Sequence, residues 1–162
     1  MSLRPSNKPE TDLDGAACRR QALDLLARRE HSRRELDRKL RARGFAPEAI
    51  EAALTELTAT GALAEARFTE SYVRARAARG KGPVRIRAEL AERGVAAEDG
   101  AAALGTAEQD WNALAREVRA KRFGSTAPKD YKERARQARF LAYRGFDAAQ
   151  IKSALDGLDD SE

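Results

Sequence analysis

The sequence predicts an all-α protein, built as three tandem three-helix repeats of helix-turn-helix type that form an elongated, curved array. Apolar residues recur at helical spacings, and no stretch shows the sustained alternation and β-branched richness of a strand. An Arg-Gly pair followed by an apolar residue recurs at Gly44, Gly94 and Gly145, 50 and 51 residues apart. Each glycine has a leucine four residues before it (Leu40, Leu90, Leu141) and another ten residues after it (Leu54, Leu104, Leu155). Repetition at a fixed period of this length marks a repeat architecture.

Residues 1–15 are polar, hold both Pro and Gly and show no helical period, so a disordered tail is expected there. The first repeat, 16–63, opens with a helix over roughly 16–30 that carries Leu23 and Leu26. Ser32-Arg33-Arg34-Glu35 is a capping box that starts the second helix, and Leu36 and Leu40 lie one turn apart on it. Gly44 sits where a helix needs a left-handed stop. Pro47 suits the first turn of a third helix, which carries Ile50, Leu54 and Leu57 and ends at Gly61.

The second repeat, 64–105, follows the same plan, with Phe68, Tyr72 and Val73 in its first helix. Gly82-Pro83 opens its second helix, which runs through Ile86 and Leu90 to Gly94. Six residues past each repeat glycine stand Ile50, Gly100 and Ile151, so the middle copy lacks an apolar anchor and its last helix should be the weakest. The third repeat, 106–158, offers Trp111, Leu114 and Val118, a loop around Gly124-Ser125-Thr126, then a helix over Tyr131 to Tyr143. Asp147 and Gln150 form a capping-box start for the last helix, and 159–162 are an acidic tail.

Composition narrows the function. Charged residues make up 35% of the chain, with 31 Lys plus Arg against 26 Asp plus Glu and a net charge of +5. The excess sits in the repeats and is mostly arginine, whose planar fork suits phosphates and carboxylates. Aromatics are only 6%, so thin, extended packing is expected. The single cysteine, Cys18, excludes an intramolecular disulfide and a cysteine-based zinc cage. No apolar run approaches a membrane span and no signal-peptide core is present, which points to the cytoplasm.

Catalysis lacks its parts: there is no nucleophile with a base and no phosphate cradle, metal set or cofactor motif. The one histidine, His31, lies between two helices beside the Ser32 cap, among Arg28, Arg29, Arg33 and Arg34, and reads as a connector. Gly80-Lys81-Gly82-Pro83 ends in a proline that withholds an amide, so it reads as punctuation between helices and not as a nucleotide loop.

Basic clusters are the candidate site. From Arg74 to Ala88 no acid occurs, yet Arg74, Arg76, Arg79, Lys81, Arg85 and Arg87 fall there, and this stretch is expected to face one partner. Arg28, Arg29, Arg33 and Arg34 flank the matching junction of the first copy. The third offers Arg119, Lys121, Arg122, Lys132, Arg136 and Arg139. Stacked repeats could align the three clusters into one stripe, the footprint of a nucleic-acid or nucleoprotein ligand. Tyr72, Phe123, Tyr131 and Tyr143 stand near them at helical spacings that make them core residues first.

Taken together, the stretch from Ala22 to Ile151 resembles the RecX family of bacterial recombinase regulators. The resemblance rests on Leu26, Arg29, Ser32, Glu35-Leu36, Lys39-Leu40 and Gly44-Phe45 in the first copy. It continues through Arg67-Phe68 and Tyr72-Val73-Arg74, and then Gly80-Lys81-Gly82-Pro83, its most specific element. Lys121-Arg122-Phe123-Gly124 and Arg144-Gly145-Phe146 close it. Ala64-Glu65 departs from the usual acidic pair before Arg-Phe, and Thr69 stands where Ala is common. The resemblance implies a non-enzymatic modulator of RecA that lies in the groove of the RecA–single-stranded-DNA filament and lowers strand exchange, ATP hydrolysis and repressor co-cleavage. Its implied partners are that nucleoprotein filament and, more weakly, single-stranded DNA, with no small-molecule substrate, cofactor, metal or membrane. A helix-turn-helix protein acting on duplex DNA is the alternative, disfavoured by three tandem copies without a single recognition helix.

Overall fold

In a computed structural model the described residues are 8–157, with side chains from residue 14 onward. They form α1 (Lys8–Arg28), α2 (Arg33–Ala42), α3 (Pro47–Ala59), α4 (Glu65–Ala78), α5 (Pro83–Glu92), α6 (Ala97–Thr106), α7 (Trp111–Phe123), α8 (Tyr131–Arg144) and α9 (Ala148–Asp156), with no strand among the described residues. Residues 8–15, expected in a tail, are instead the first two turns of α1. Pro9 fits because a first-turn residue has no intrahelical acceptor to lose. The rest of the expected tails, residues 1–7 and 158–162, lies outside the described residues.

The stop and start signals act as their chemistry requires. The Ser32 hydroxyl accepts from the Glu35 amide at 3.1 Å, and the Glu35 carboxylate accepts from the Ser32 amide at 3.3 Å. Asp147 and Gln150 repeat the arrangement at 2.8 and 2.9 Å. Gly44, Gly94 and Gly145 take φ of +90°, +83° and +102°, which spares them the penalty a side chain meets there.

Two compact units result: the chain up to Phe68 together with Arg93–Val95, and Thr69–Glu92 together with the chain from Ala96 onward. The core of the first joins Cys18, Ala22 and Leu25 of α1 to Leu36 and Leu40 of α2 and to Ile50, Leu54 and Leu57 of α3. Leu25, and not Leu23, carries the buried face of α1, because Cys18, Ala22 and Leu25 share the i, i+4, i+7 stripe; Leu23 is 41% exposed. The core of the second unit joins Leu114, Ala115 and Val118 of α7 to Leu141 of α8, to Phe146, and to Ala154 of α9, with Ala77 of α4 added. Each fully buried leucine contributes roughly 1.5–3 kcal/mol.

The second repeat is built differently. In the first and third repeats the opening helix packs on the closing one, α1 on α3 and α7 on α9. Between α4 and α6 there is instead a cleft of about 510 Å³, lined by Val73, Arg74 and Ala77 on one side and Ala103 and Thr106 on the other. Gly100, buried where Ile50 and Ile151 stand in the other copies, lies instead beside Leu90 of α5.

One joint recurs in both units. In the first, the Ser32 hydroxyl at the start of α2 donates to the Arg93 carbonyl at 2.8 Å, just before Gly94. In the second, the Gly82 amide at the start of α5 donates to the Arg144 carbonyl, and the Val84 amide to the Gly145 carbonyl, both at 2.9 Å. A Cβ on Gly82 would lie 2.3 Å from the Gly145 carbonyl. The Gly-Lys-Gly-Pro turn is therefore a docking element and not punctuation alone.

Candidate partner-binding surface

Fifteen of the sixteen cations picked out by the sequence are at least partly solvent-facing, but they are not equivalent. Arg28, Arg34, Arg74, Arg79, Arg87, Arg122 and Arg139 are exposed and carry no ion pair among the described residues. Arg29 pairs with Glu35 at 3.1 Å and Arg33 with Glu51 at 2.8 Å. Arg136 pairs with Glu133 at 3.5 Å and Lys121 with Glu117 at 3.4 Å. Exposed pairs of this kind hold their cations weakly, at about 0–1 kcal/mol, so a partner's anion can displace them.

Arg119 is a correction. Its side chain is 1% exposed, with Nε donating to Gln137 Oε1 at 2.8 Å and the two Nη groups donating to the Gly124 and Thr126 carbonyls at 3.0 and 2.6 Å. Burial lowers its pKa from the ordinary arginine value. It organises the α7–α8 loop and is buried away from any partner.

Glu89 also changes the reading of the acid-free stretch, since the acid comes from just beyond it. Arg76 bonds Glu89 through two donors, each at 2.8 Å, Arg85 Nε donates at 3.1 Å, and the Tyr72 hydroxyl donates at 2.7 Å. Burial alone would raise the Glu89 pKa, but the bonds from Arg76, Tyr72 and Arg85 override it and hold it at about 2. Arg85 additionally lies over the exposed Tyr143 ring, 5.5 Å from its centroid. Arg76 and Arg85 are thus internal partners of Glu89, and of this stretch Arg74, Arg79, Lys81 and Arg87 carry no ion pair among the described residues.

The third-repeat cations divide between two faces. Lys132, Arg136 and Arg139 line a cavity of about 630 Å³ beside Phe123, while Lys121 and Arg122 line another with Arg79 of the second repeat. Phe123 packs edge-on to Phe140 at 5.2 Å, with Arg122 and Arg136 over its ring. Tyr131 and Tyr143, expected in the core, are 85% and 77% exposed. Arg144, at the end of α8, lines the same cavity as Lys121 and Arg122.

His31 is a connector, as its place between helices predicts. Lys39 Nζ can only donate, so the imidazole Nε2, 2.9 Å away, accepts; Nδ1 then carries the proton and donates to the Arg29 carbonyl at 3.0 Å. Burial, helped by Arg29 and Lys39, lowers its pKa below 6.5. Among the described residues no three potential metal ligands cluster, and no helix is long and apolar enough to cross a membrane.

Nine helices in three-helix repeats, with exposed arginines that carry no ion pair, define a basic helical-repeat protein among the described residues. Family descriptions match it in succession: RecX first three-helix domain at residues 18–57, second at 65–104 and third at 108–155. Regulatory protein RecX of Pseudomonas fluorescens Pf-5 is 51% identical over 141 residues, covering 87% of this chain and 91% of the relative. Regulatory protein RecX of Pseudomonas entomophila is 50% identical over 143 residues, covering 88% and 92%. The crystal structure of RecX from Lactobacillus salivarius superposes with a TM-score of 0.76 at 22% identity, covering 90% of this chain and 97% of that one, and so shares the fold. The chain belongs to the RecX family of regulatory proteins.

Proposed function

We propose that this chain acts in the cytoplasm by binding the RecA–single-stranded-DNA filament and restraining RecA's strand exchange, ATPase and co-protease activities, without catalysing a reaction itself. Its membership of a regulatory family across all three repeats carries this reading. The free arginines support it, because a repeat array presenting Arg74, Arg79, Arg87 and Arg122 offers separate anchor points to a polymer of phosphates and acidic protein surface. A ligand of a polymer acts on many subunits at once. Titrated into a RecA ATPase assay on single-stranded DNA, the protein should therefore reach half-inhibition well below one copy per RecA subunit. Inhibition that needs several copies per subunit, or no inhibition, would remove the proposal.

A further inference from the structure

The Arg79–Gly82 turn and the ends of α7 and α8 enclose a pocket of about 360 Å³. Arg79, Lys121, Arg122 and Arg144 line it, with Val118 and Phe140 as apolar walls. The one acid in the lining, Glu117, already meets Lys121. Arg79, Arg122 and Arg144 have no ion pair among the described residues, and the Arg144 Nε–H is buried without an acceptor. Gly80 is part of the construction: at φ +75° it has no side chain, and a Cβ there would lie 3.3 Å from Arg144 Nη2 and 2.9 Å from Val118. Lys81 stands in the same positive field, its pKa lowered by burial and then by Arg144, Arg85 and Arg76. Native structures rarely leave a buried donor unsatisfied, and cations gathered from three elements repel one another unless an anion joins them.

We infer that this pocket is a phosphate-binding site, taking a phosphate group of a nucleic-acid strand or of a free phosphate ester. A carboxylate satisfies one guanidinium fork in one plane, whereas a phosphate offers oxygens in several directions, which suits three arginines converging from separate elements. The inference deepens the filament reading at Arg79 and Arg122, and because phosphate binding is measured without RecA the two fail separately.

The test uses the full chain, with arginine Nε–H resonances followed by NMR as three probes are titrated: inorganic pyrophosphate, a short oligothymidylate and polyglutamate. The Arg144 Nε–H resonance should shift with oligothymidylate, with pyrophosphate, or with both; a response to the strand alone places the phosphate in nucleic acid, and a response to pyrophosphate alone in a free ester. Arg79→Gln with Arg122→Gln, both exposed and without ion pairs among the described residues, should weaken binding of the responding probe at least tenfold. If that probe is the strand, the double variant should also flatten the plot of log affinity against log salt by about 1.4, roughly 0.7 per lost contact. Arg20→Gln, exposed on α1, should change neither. Because Arg144→Gln risks misfolding, the exposed double variant decides the matter. Wild-type binding by that variant, an Arg144 resonance indifferent to both phosphate probes, or a polyglutamate response equal to the oligonucleotide's would each overturn the assignment.

Discussion

Glu89 is the group whose removal should be felt most in the second unit. It is 15% exposed and accepts from Arg76, Arg85 and Tyr72, with Arg76 itself 22% exposed and Arg85 33%. Glu89→Gln keeps the shape, removes the charge and leaves two guanidinium groups facing each other. A carboxyl held at about 2 in place of its ordinary 4.5 contributes about 3 kcal/mol at neutral pH. Removing one partner from a buried ion pair costs about 3–5 kcal/mol, which agrees at its lower edge as befits a half-buried cluster. Since the folded pKa is depressed, this contribution is fully present above 4.5 and is lost as pH falls from 4.5 towards 2. Urea denaturation followed by far-UV circular dichroism at several pH values measures it. The stability difference between wild type and Glu89→Gln should be about 3 kcal/mol at pH 7 and should narrow progressively below about pH 4.5. A difference under about 1 kcal/mol at pH 7, or one that stays constant from pH 6 to pH 3, would refute the argument.

Gly100→Ala should stabilise the protein by about 0.4–1 kcal/mol in the same denaturation assay, because the residue is helical and the new Cβ meets only Leu90 Cδ1 at 3.8 Å. Arg119→Met should lose about 3 kcal/mol and expose the α7–α8 loop to limited proteolysis, since the Gly124 and Thr126 carbonyls lose their donors; DNA affinity of the remaining folded molecules should not change. His31 should stay neutral at pH 6.5 with its proton on Nδ1, read from imidazole nitrogen shifts. As its folded pKa lies below 6.5, its contribution to stability is present above that pH and declines as the pH falls, and a ring titrating at 6.5 would contradict the connector geometry.

What was legible in the sequence follows from how local each signal is. The capping boxes at Ser32 and Asp147, the first-turn prolines Pro47 and Pro83 and the left-handed glycines Gly44, Gly94 and Gly145 depend on a few adjacent residues, and each sits where its spacing indicates. Leu23 misled because the stripe that α1 buries is made of small residues, Cys18 and Ala22, beside Leu25. Arg119 looked like the rest of the basic α7 face because its three acceptors come from Gly124, Thr126 and Gln137, which only the folded loop brings near. The Arg85–Glu89 pair was readable at i, i+4, but Arg76 reaches the same carboxylate from another helix. Counting charge along the chain therefore overstated how many cations of the acid-free stretch face outward.

The middle repeat ties these observations together. Its second helix starts against the Arg144 and Gly145 carbonyls, while the residues just after its end, Arg93 to Val95, belong to the first compact unit. Its third helix packs on this second helix, with Gly100 beside Leu90, so position 100 belongs to that contact. The backbone contact that needs Gly82 also sets Gly80 and Arg79 beside Arg144, so one Gly-Lys-Gly-Pro turn both docks the repeat and positions its free cations. Adding a side chain at position 100, against Leu90, and removing Arg79 should therefore act on separate properties, stability in the first case and phosphate binding in the second. Distant, unshared sites add within about 0.3–0.5 kcal/mol. A Gly100→Ala, Arg79→Gln double variant should accordingly show the stability gain of the first change and the binding loss of the second, each undiminished, and a gain that vanishes in the double variant would mean that position 100 and the turn are coupled.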